Sequence, residues 1–390
     1  ALVIRVEDTD QGRKVQGSTE QMLDALNWLG IDWDEGPDIG GPFGPYFQSQ
    51  RLELYSSIAD QLLDLGRAYY CYCSSERLAL LRQEQSAKKE NPGYDGRCRH
   101  IIKRDVDRHK LSDVKPVIRF RMLEEGSTVV DDLIRGKVVT ENKLFDDFIM
   151  IKSDGFPTYH MASVVDDHYM QISHVMRGEE WLPSTPRHVQ LYQALRWTQP
   201  KFVHLPIILA RDRSKLSKRH GVTSILDYRA KGYVPQAMVN FLTLLGWSLD
   251  GSTELFSVNQ LVDNFSLNRI AKSGAIFDAE KLNWMNGHYI RSMDEAELGS
   301  LLLRYWDEFP TTDIPKVEPS TSITDISSLI QERLKILSDA APLIKFFFCD
   351  EVKYETSELI QKGMDIDGTN LILSSCLSAL EEVIEFTSDS

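Results

Sequence analysis

The feature that most constrains this chain is an alternation of short apolar strands and amphipathic helices that opens at Ala1, breaks off near Tyr69 and resumes at Phe148. Ala1 to Val6 is an apolar run of buried-strand length. After a polar turn, Ser18 with Gln21 predicts a capping box ahead of a helix that turns Leu23, Leu26 and Leu29 inward and stops at Gly30. A Gly/Pro-rich loop from Gly36 to Pro45 leads to a second helix, with Leu52, Tyr55, Ile58, Ala59, Leu62 and Leu63 on one face and Gly66 as its stop. Such alternation predicts an α/β sheet. From Tyr69 to about Lys143 the character changes to close cysteines, a charged helix and isolated strands, which reads as an insertion. Phe148 to Lys152, Ile172 to Met176 and Phe202 to Leu209 then resume the strands, and Pro186 starts a helix running to Trp197.

After Tyr228 strand signals fade. Pro235 and Gly246 bracket one helix, Ser257 opens another over Val258 to Phe265, and further helices run to Arg304. Pro310 to Thr324 reads as a linker, and Asp325 to Ser390 is again helical. The expected organisation is an α/β region over 1–70, an insertion over 71–147, the α/β region resumed over 148–228, a helical connection over 229–309, and a linker with a helical region over 310–390. A chain of 390 residues is too long for one core, since domains run to about 100–200 residues. No stretch approaches the roughly 18 apolar residues of a membrane-spanning helix, so no membrane partner is expected. The net charge of −14 repels nucleic acid on average and leaves binding to local basic patches. Five cysteines, an odd number, argue against a secreted disulfide scaffold and for a reducing compartment.

Four motifs carry chemistry. Arg211 to His220 forms a basic loop after a strand, holding Lys215 and Lys218 three residues apart. Two mobile point charges there suit a polyphosphate and the charge developing on departing pyrophosphate, although a solvated surface loop is the simpler account of so short a run. Cys71-Tyr-Cys73 and Cys98-Arg-His100 flank the charged helix as two half-sites. Their donor set suits a tetrahedral structural zinc, with Tyr94 as the alternative to His100 in the fourth position; two ordinary thiols and a surface histidine are the plainer reading. Arg5-Val-Glu7-Asp8-Thr9-Asp10 puts three carboxylates at the C-terminal end of the first strand, suited to an ammonium group, a metal or simply a capping turn. Arg177, at the end of a later strand, can pair bidentately with a carboxylate in the same crevice as Glu7, and Tyr159 offers a hydroxyl nearby. A salt-bridged arginine and a buried tyrosine are the alternatives there. His109, His188 and His288 read as structural or exposed, Cys349 and Cys376 as core thiols, and Arg99, Lys103 and Arg104 as a phosphate contact or a solvated face.

In order along the chain, Arg-Val-Glu-Asp-Thr-Asp, Gly-Pro-Tyr46-Phe-Gln-Ser-Gln-Arg51, Cys-Tyr-Cys-Ser, Tyr94-Asp-Gly-Arg-Cys-Arg-His, Ser153-Asp-Gly-Phe-Pro-Thr-Tyr-His, Arg-Gly-Glu-Glu-Trp and Lys-Leu-Ser-Lys-Arg-His-Gly resemble the glutamyl-tRNA synthetases, a family of class I aminoacyl-tRNA synthetases. The resemblance is close over about residues 1 to 300. It implies a Rossmann-like catalytic domain with an inserted α+β acceptor-binding domain, then an all-α, partial anticodon-binding region. It implies ATP with Mg²⁺, glutamate and the tRNA for glutamate as substrates, and a monomer of the bacterial cytoplasm or an organelle matrix. Glu7 then corresponds to the group for the substrate ammonium, Tyr159 and Arg177 to the glutamate pocket, and Lys215, Ser217, Lys218 and His204 to ATP contacts, with the two lysines catalytic. Cys71, Cys73, Cys98 and His100 or Tyr94 correspond to the zinc site of some members.

The family's first strand and its His-x-Gly-His-type signature are expected ahead of Ala1, and further anticodon-binding helices beyond Ser390, so a polypeptide of this extent is expected not to aminoacylate. Ser163 stands where many members carry Asn, which alters pocket hydrogen bonding. Two other functions compete: glutamylation of a modified tRNA nucleoside, and non-catalytic, zinc-stabilised RNA binding.

Overall fold

The computed structural model describes residues 1–10, 12, 15–100, 115–217, 219, 221, 224–312, 314, 323–348, 354–360 and 362–383. They form two compact units, Ala1–Ser292 and Met293–Ser390.

In the first unit, Ala1 to Val6 is extended but pairs only at single points, Val3 with Glu35 and Val6 with Phe47. Helix α1 (Ser18–Trp28) departs from expectation at its start: Gly17, with φ 77°, is the cap, and no side chain caps the helix. Ser18 already has helical backbone, so its hydroxyl is one residue too late to close the box with Gln21. Helix α2 (Leu52–Asp64) buries Tyr55, Ile58, Ala59 and Leu62. Gly66 ends it with φ 66°, its N–H reaching the Leu63 carbonyl at 3.0 Å while that of Arg67 reaches Leu62 at 2.8 Å.

Strands β1 (Ala68–Cys71), β2 (Val117–Phe120) and a later strand, Ile149–Ile151, make an antiparallel sheet with β2 in the middle. Helix α3 (Ser75–Ala87) follows β1 and is capped by the Ser74 hydroxyl. The hairpin of β3 (Ser127–Asp132) and β4 (Gly136–Glu141) falls inside the expected insertion yet belongs to another sheet. Numbering Ile149–Ile151 as β5, then β6 (His174–Gly178) and β7 (Lys201–Leu205), that sheet runs β4-β3-β7-β6. Strand β3 meets β7 in parallel at Asp132 and Phe202, and β7 runs parallel to β6. The reason lies in the alternation of Ser127–Asp132, which turns Thr128, Val130 and Asp132 inward while their neighbours face solvent. The β3–β4 hairpin, within residues 71–147, is thus joined through β3 to the sheet that holds β6 and β7.

Helices α4 (Tyr159–Tyr169) and α5 (Thr185–Leu195) pack on this framework, and Tyr55, Leu62, Phe120, Met150, Met161, Leu191 and Tyr192 fill the core between the layers. Each such buried side chain contributes roughly 1.5–3 kcal/mol of transfer free energy. The unit continues through β8 (Ile208–Leu209), helices α6 (Ile225–Ala230), α7 (Pro235–Leu244) and α8 (Val258–Asn264), β9 (Ala275–Ile276) and α9 (Ala279–Arg291). Ser257 and Gln260 form the capping box of α8. The second unit is helical among its described residues: α10 (Glu295–Glu308), α11 (Ile323–Ser328), α12 (Ala340–Ile344) and α13 (Ile366–Glu381), with Leu298, Leu302, Trp306, Leu334 and Ile344 buried. Cys376, expected in a core, is exposed on α13, because the apolar residues of that helix are themselves mostly exposed; Cys349 lies outside the described residues. No helix among the described residues is long and apolar enough to cross a membrane.

Candidate active site

The end of β6 holds Arg177 beside His204 of β7. Its guanidinium donates from Nη1 to the Tyr159 hydroxyl at 2.7 Å, from Nη2 to Thr185 Oγ1 at 2.8 Å and from Nε to His204 Nε2 at 3.2 Å. An arginine carries five N–H donors, so these bonds leave donors for a carboxylate. Tyr159 is the first residue of α4, and its ring lies 4.8 Å from that of Trp181. Thr185 opens α5 and is wholly buried.

His204, expected as an ATP contact, is fully buried, with Asp132 on one ring nitrogen and Arg177 and Thr185 at the other. Its strand, β7, lies between β3 and β6. Neither Asp132 nor Thr185 was singled out from the sequence. Their signal is only spatial, since Asp132 and His204 are 72 residues apart.

The Arg5–Asp10 segment divides its tasks. Asp8 accepts the Ser49 N–H at 2.8 Å and its hydroxyl at 2.6 Å, which ties the segment to the residues ahead of α2, and Asp10 accepts the Gly12 N–H in a local turn. Arg5 lies 2.9 Å from Asp167 and 3.6 Å from Asp166. Asp166, with no exposed surface, also accepts from Arg51 at 2.8 Å, Gln48 at 2.9 Å and Tyr55 at 2.8 Å. This buried node ties the extended first segment to α4. Glu7 keeps an exposed carboxylate, 3.7 Å from Arg5. Partial burial raises its pKa above the usual value, Asp167 and Asp166 adding to the rise and Arg5 opposing it. Burial raises the Asp167 pKa, opposed chiefly by Arg5.

On the basic loop, Lys215 reaches across to Glu180, just beyond β6, at 2.7 Å, and this bond holds the Glu180 carboxyl below its usual range. Ser217 is half-buried on the same loop; Lys218 lies outside the described residues.

The Sγ atoms of Cys71, Cys73 and Cys98 all lie within 4.8 Å of one another. The Tyr94 hydroxyl sits 3.5 Å from Cys71 and 3.9 Å from Cys73 and accepts the Cys98 N–H at 2.8 Å, while exposed His100 is not part of the group. The hydrogen bond between Cys71 and Cys98 pushes the Cys71 thiol down and the Cys98 thiol up, so Cys71 is the member of the pair that favours the thiolate. The donor set fits zinc. Arg99, read as a phosphate contact or a solvated side chain, instead pairs with buried Asp147 and donates to the Met122 carbonyl at 2.7 Å; Lys103 and Arg104 lie outside the described residues.

Residues 1–284 match the family described as tRNA synthetases class I (E and Q), catalytic domain, and residues 297–390 match an anticodon-binding domain. The fold is thus that of a class I aminoacyl-tRNA synthetase. A glutamate–tRNA ligase of Dehalococcoides mccartyi is 50% identical over 99% of this chain and 78% of its own length, and one of Moorella thermoacetica is 44% identical over 99% and 79%. The crystal structure of a glutamate tRNA ligase from Elizabethkingia meningosepticum, in complex with its amino acid, superimposes with TM-score 0.84 at 33% identity, over 98% of this chain and 80% of that one. The chain belongs to the glutamate–tRNA ligase family.

Proposed function

We propose that the crevice between Glu7 and Arg177 binds glutamate for activation by ATP and transfer to the tRNA for glutamate. The observation that carries this reading is the Arg177 guanidinium, oriented by Tyr159, Thr185 and His204 with donors still available at a strand end. Glu7 supplies the opposite charge for the substrate ammonium. A glutamate α-carboxylate oxygen attacks the α-phosphorus of ATP; a P–O bond forms as the bond to pyrophosphate breaks. A ribose hydroxyl of the terminal adenosine of tRNA then displaces AMP from the acyl group. The first step needs no general base, since a carboxylate is already a nucleophile. The chain's task is positioning and charge neutralisation, with Lys215, Ser217 and Lys218 toward the ATP phosphates and Mg²⁺ accompanying the nucleotide.

Zinc, when bound by Cys71, Cys73 and Cys98 with the Tyr94 hydroxyl, supplies structural cross-linking and no open coordination position. On this reading the protein works as a monomer in the bacterial cytoplasm.

Calorimetric titration with a stable glutamyl-adenylate mimic tests the pocket. Arg177→Ala is expected to weaken binding at least tenfold, because a hydrogen-bonded charge pair is removed. Undiminished affinity in both Arg177→Ala and Glu7→Gln would sink the reading.

A further inference from the structure

We propose that Asp132 and His204 are positioning residues that fix the guanidinium of Arg177 for the substrate carboxylate. The inference rests on the pocket reading above and adds to it two residues that touch no substrate. Arginine only donates hydrogen bonds, so the bond from Arg177 Nε makes His204 Nε2 an acceptor. The proton of the neutral ring is therefore on Nδ1, which donates to Asp132 Oδ2 at 2.6 Å. The carboxylate is itself fixed: Oδ2 also accepts the His204 N–H at 3.0 Å, and Oδ1 accepts the N–H groups of Ile134 at 2.9 Å and Arg135 at 2.8 Å. Both side chains are buried, His204 completely. Burial disfavours the charged imidazolium and so keeps the acceptor available. Thr185 completes the frame: its hydroxyl oxygen accepts from Arg177 Nη2 at 2.8 Å and lies 3.1 Å from both the Trp181 carbonyl and His204 Nε2, two acceptors between which its one proton is shared.

The tautomer is what Asp132 controls. In Asp132→Asn, the amide oxygen is drawn to the two N–H groups of Ile134 and Arg135, so the amide nitrogen faces His204. A donor there forces the ring proton onto Nε2, opposite the N–H of Arg177. Two donors then oppose each other and the guanidinium loses its support.

The test is affinity for glutamyl- and glutaminyl-adenylate mimics, with ATP affinity and melting temperature measured on the same full-length chain. His204→Gln keeps an acceptor near Nε2 and His204→Leu does not, while both lose the bond to Asp132. We expect His204→Leu and Asp132→Asn to bind the glutamyl mimic about tenfold more weakly, with ATP binding unchanged and the preference over the glutaminyl mimic reduced. His204→Gln should stay within about threefold of the parent. The His204 pair keeps the test valid should Asp132→Asn fail to fold. Equal affinities in His204→Gln and His204→Leu, with Arg177→Ala still impaired, would overturn the positioning role and leave the pocket reading standing. An unimpaired Arg177→Ala would remove both.

Discussion

Two histidines behind the site are held neutral by burial. His160 Nδ1 lies 3.0 Å from His188 Nε2, a bond that needs one ring to donate and the other to accept. Burial pushes His160 down to about 4 from the ordinary 6.5, with Arg187 and Arg177 adding to the fall, and places fully enclosed His188 well below its ordinary value. Between those limits the unfolded chain binds protons that the folded one refuses. Stability is therefore whole above pH 6.5 and declines as pH falls toward 4, by up to about 1.4 kcal/mol per pH unit for each ring. Urea midpoints measured across that window should fall, and His160→Asn should flatten the slope; a slope unchanged in the variant would assign the acid sensitivity elsewhere. At this scale the sequence was readable where chain order set position, as for Arg177 at its strand end. It was unreadable where burial decided the role. The partners of His204, Asp132 and Arg177, lie far from it along the chain and so could not be read from the sequence.

At the scale of elements, apolar periodicity was the reliable guide. The spacing of Leu52, Tyr55, Ile58, Ala59, Leu62 and Leu63 predicts the inward face of α2; Tyr55, Ile58, Ala59 and Leu62 are buried, and Leu52 and Leu63, at the edges of that face, are half-buried. Leu62 has no exposed surface, and Leu62→Ala should cost about 2–5 kcal/mol, seen as a lower denaturant midpoint at constant m-value. A loss below about 0.5 kcal/mol would mean that the site collapses around the cavity. The hairpin β3–β4 was harder to place, because pairing of β3 with β7 joins residues 70 positions apart and leaves no local trace. The thiol cluster closes a loop of the same kind: Cys71 ends β1, and Cys98 returns beyond α3. Elemental analysis of protein prepared with zinc should find one ion per chain, and Cys98→Ser should lose it. Zinc retained by that variant would place the metal elsewhere. Stripping the ion should lower the melting temperature without abolishing the unit, since the large apolar core lies apart from the three thiols.

The two units divide the molecule's work in a way that charge and core content make testable. Every described residue assigned to the glutamate crevice lies in Ala1–Ser292, which has its own core, while Met293–Ser390 buries a separate apolar set around Leu302, Trp306 and Leu334. With a net charge of −14, the chain must bind tRNA through local basic surfaces against a repulsive mean field, so that affinity falls steeply as salt rises. The second unit matches an anticodon-binding domain, so its removal should subtract bonds to phosphate without touching the amino-acid pocket. A chain ending at Ser292 is expected to bind the glutamyl-adenylate mimic within about twofold of the parent, because no hydrogen bond to Arg177, His204 or Arg5 comes from beyond that residue among the described ones. Its tRNA affinity, by filter binding, should fall by at least tenfold with a shallower salt dependence, since every phosphate that the second unit no longer neutralises takes close to one unit from the slope. A folded fragment that failed to bind the mimic would show that the second unit supports the pocket, and equal tRNA affinity would confine recognition to the first.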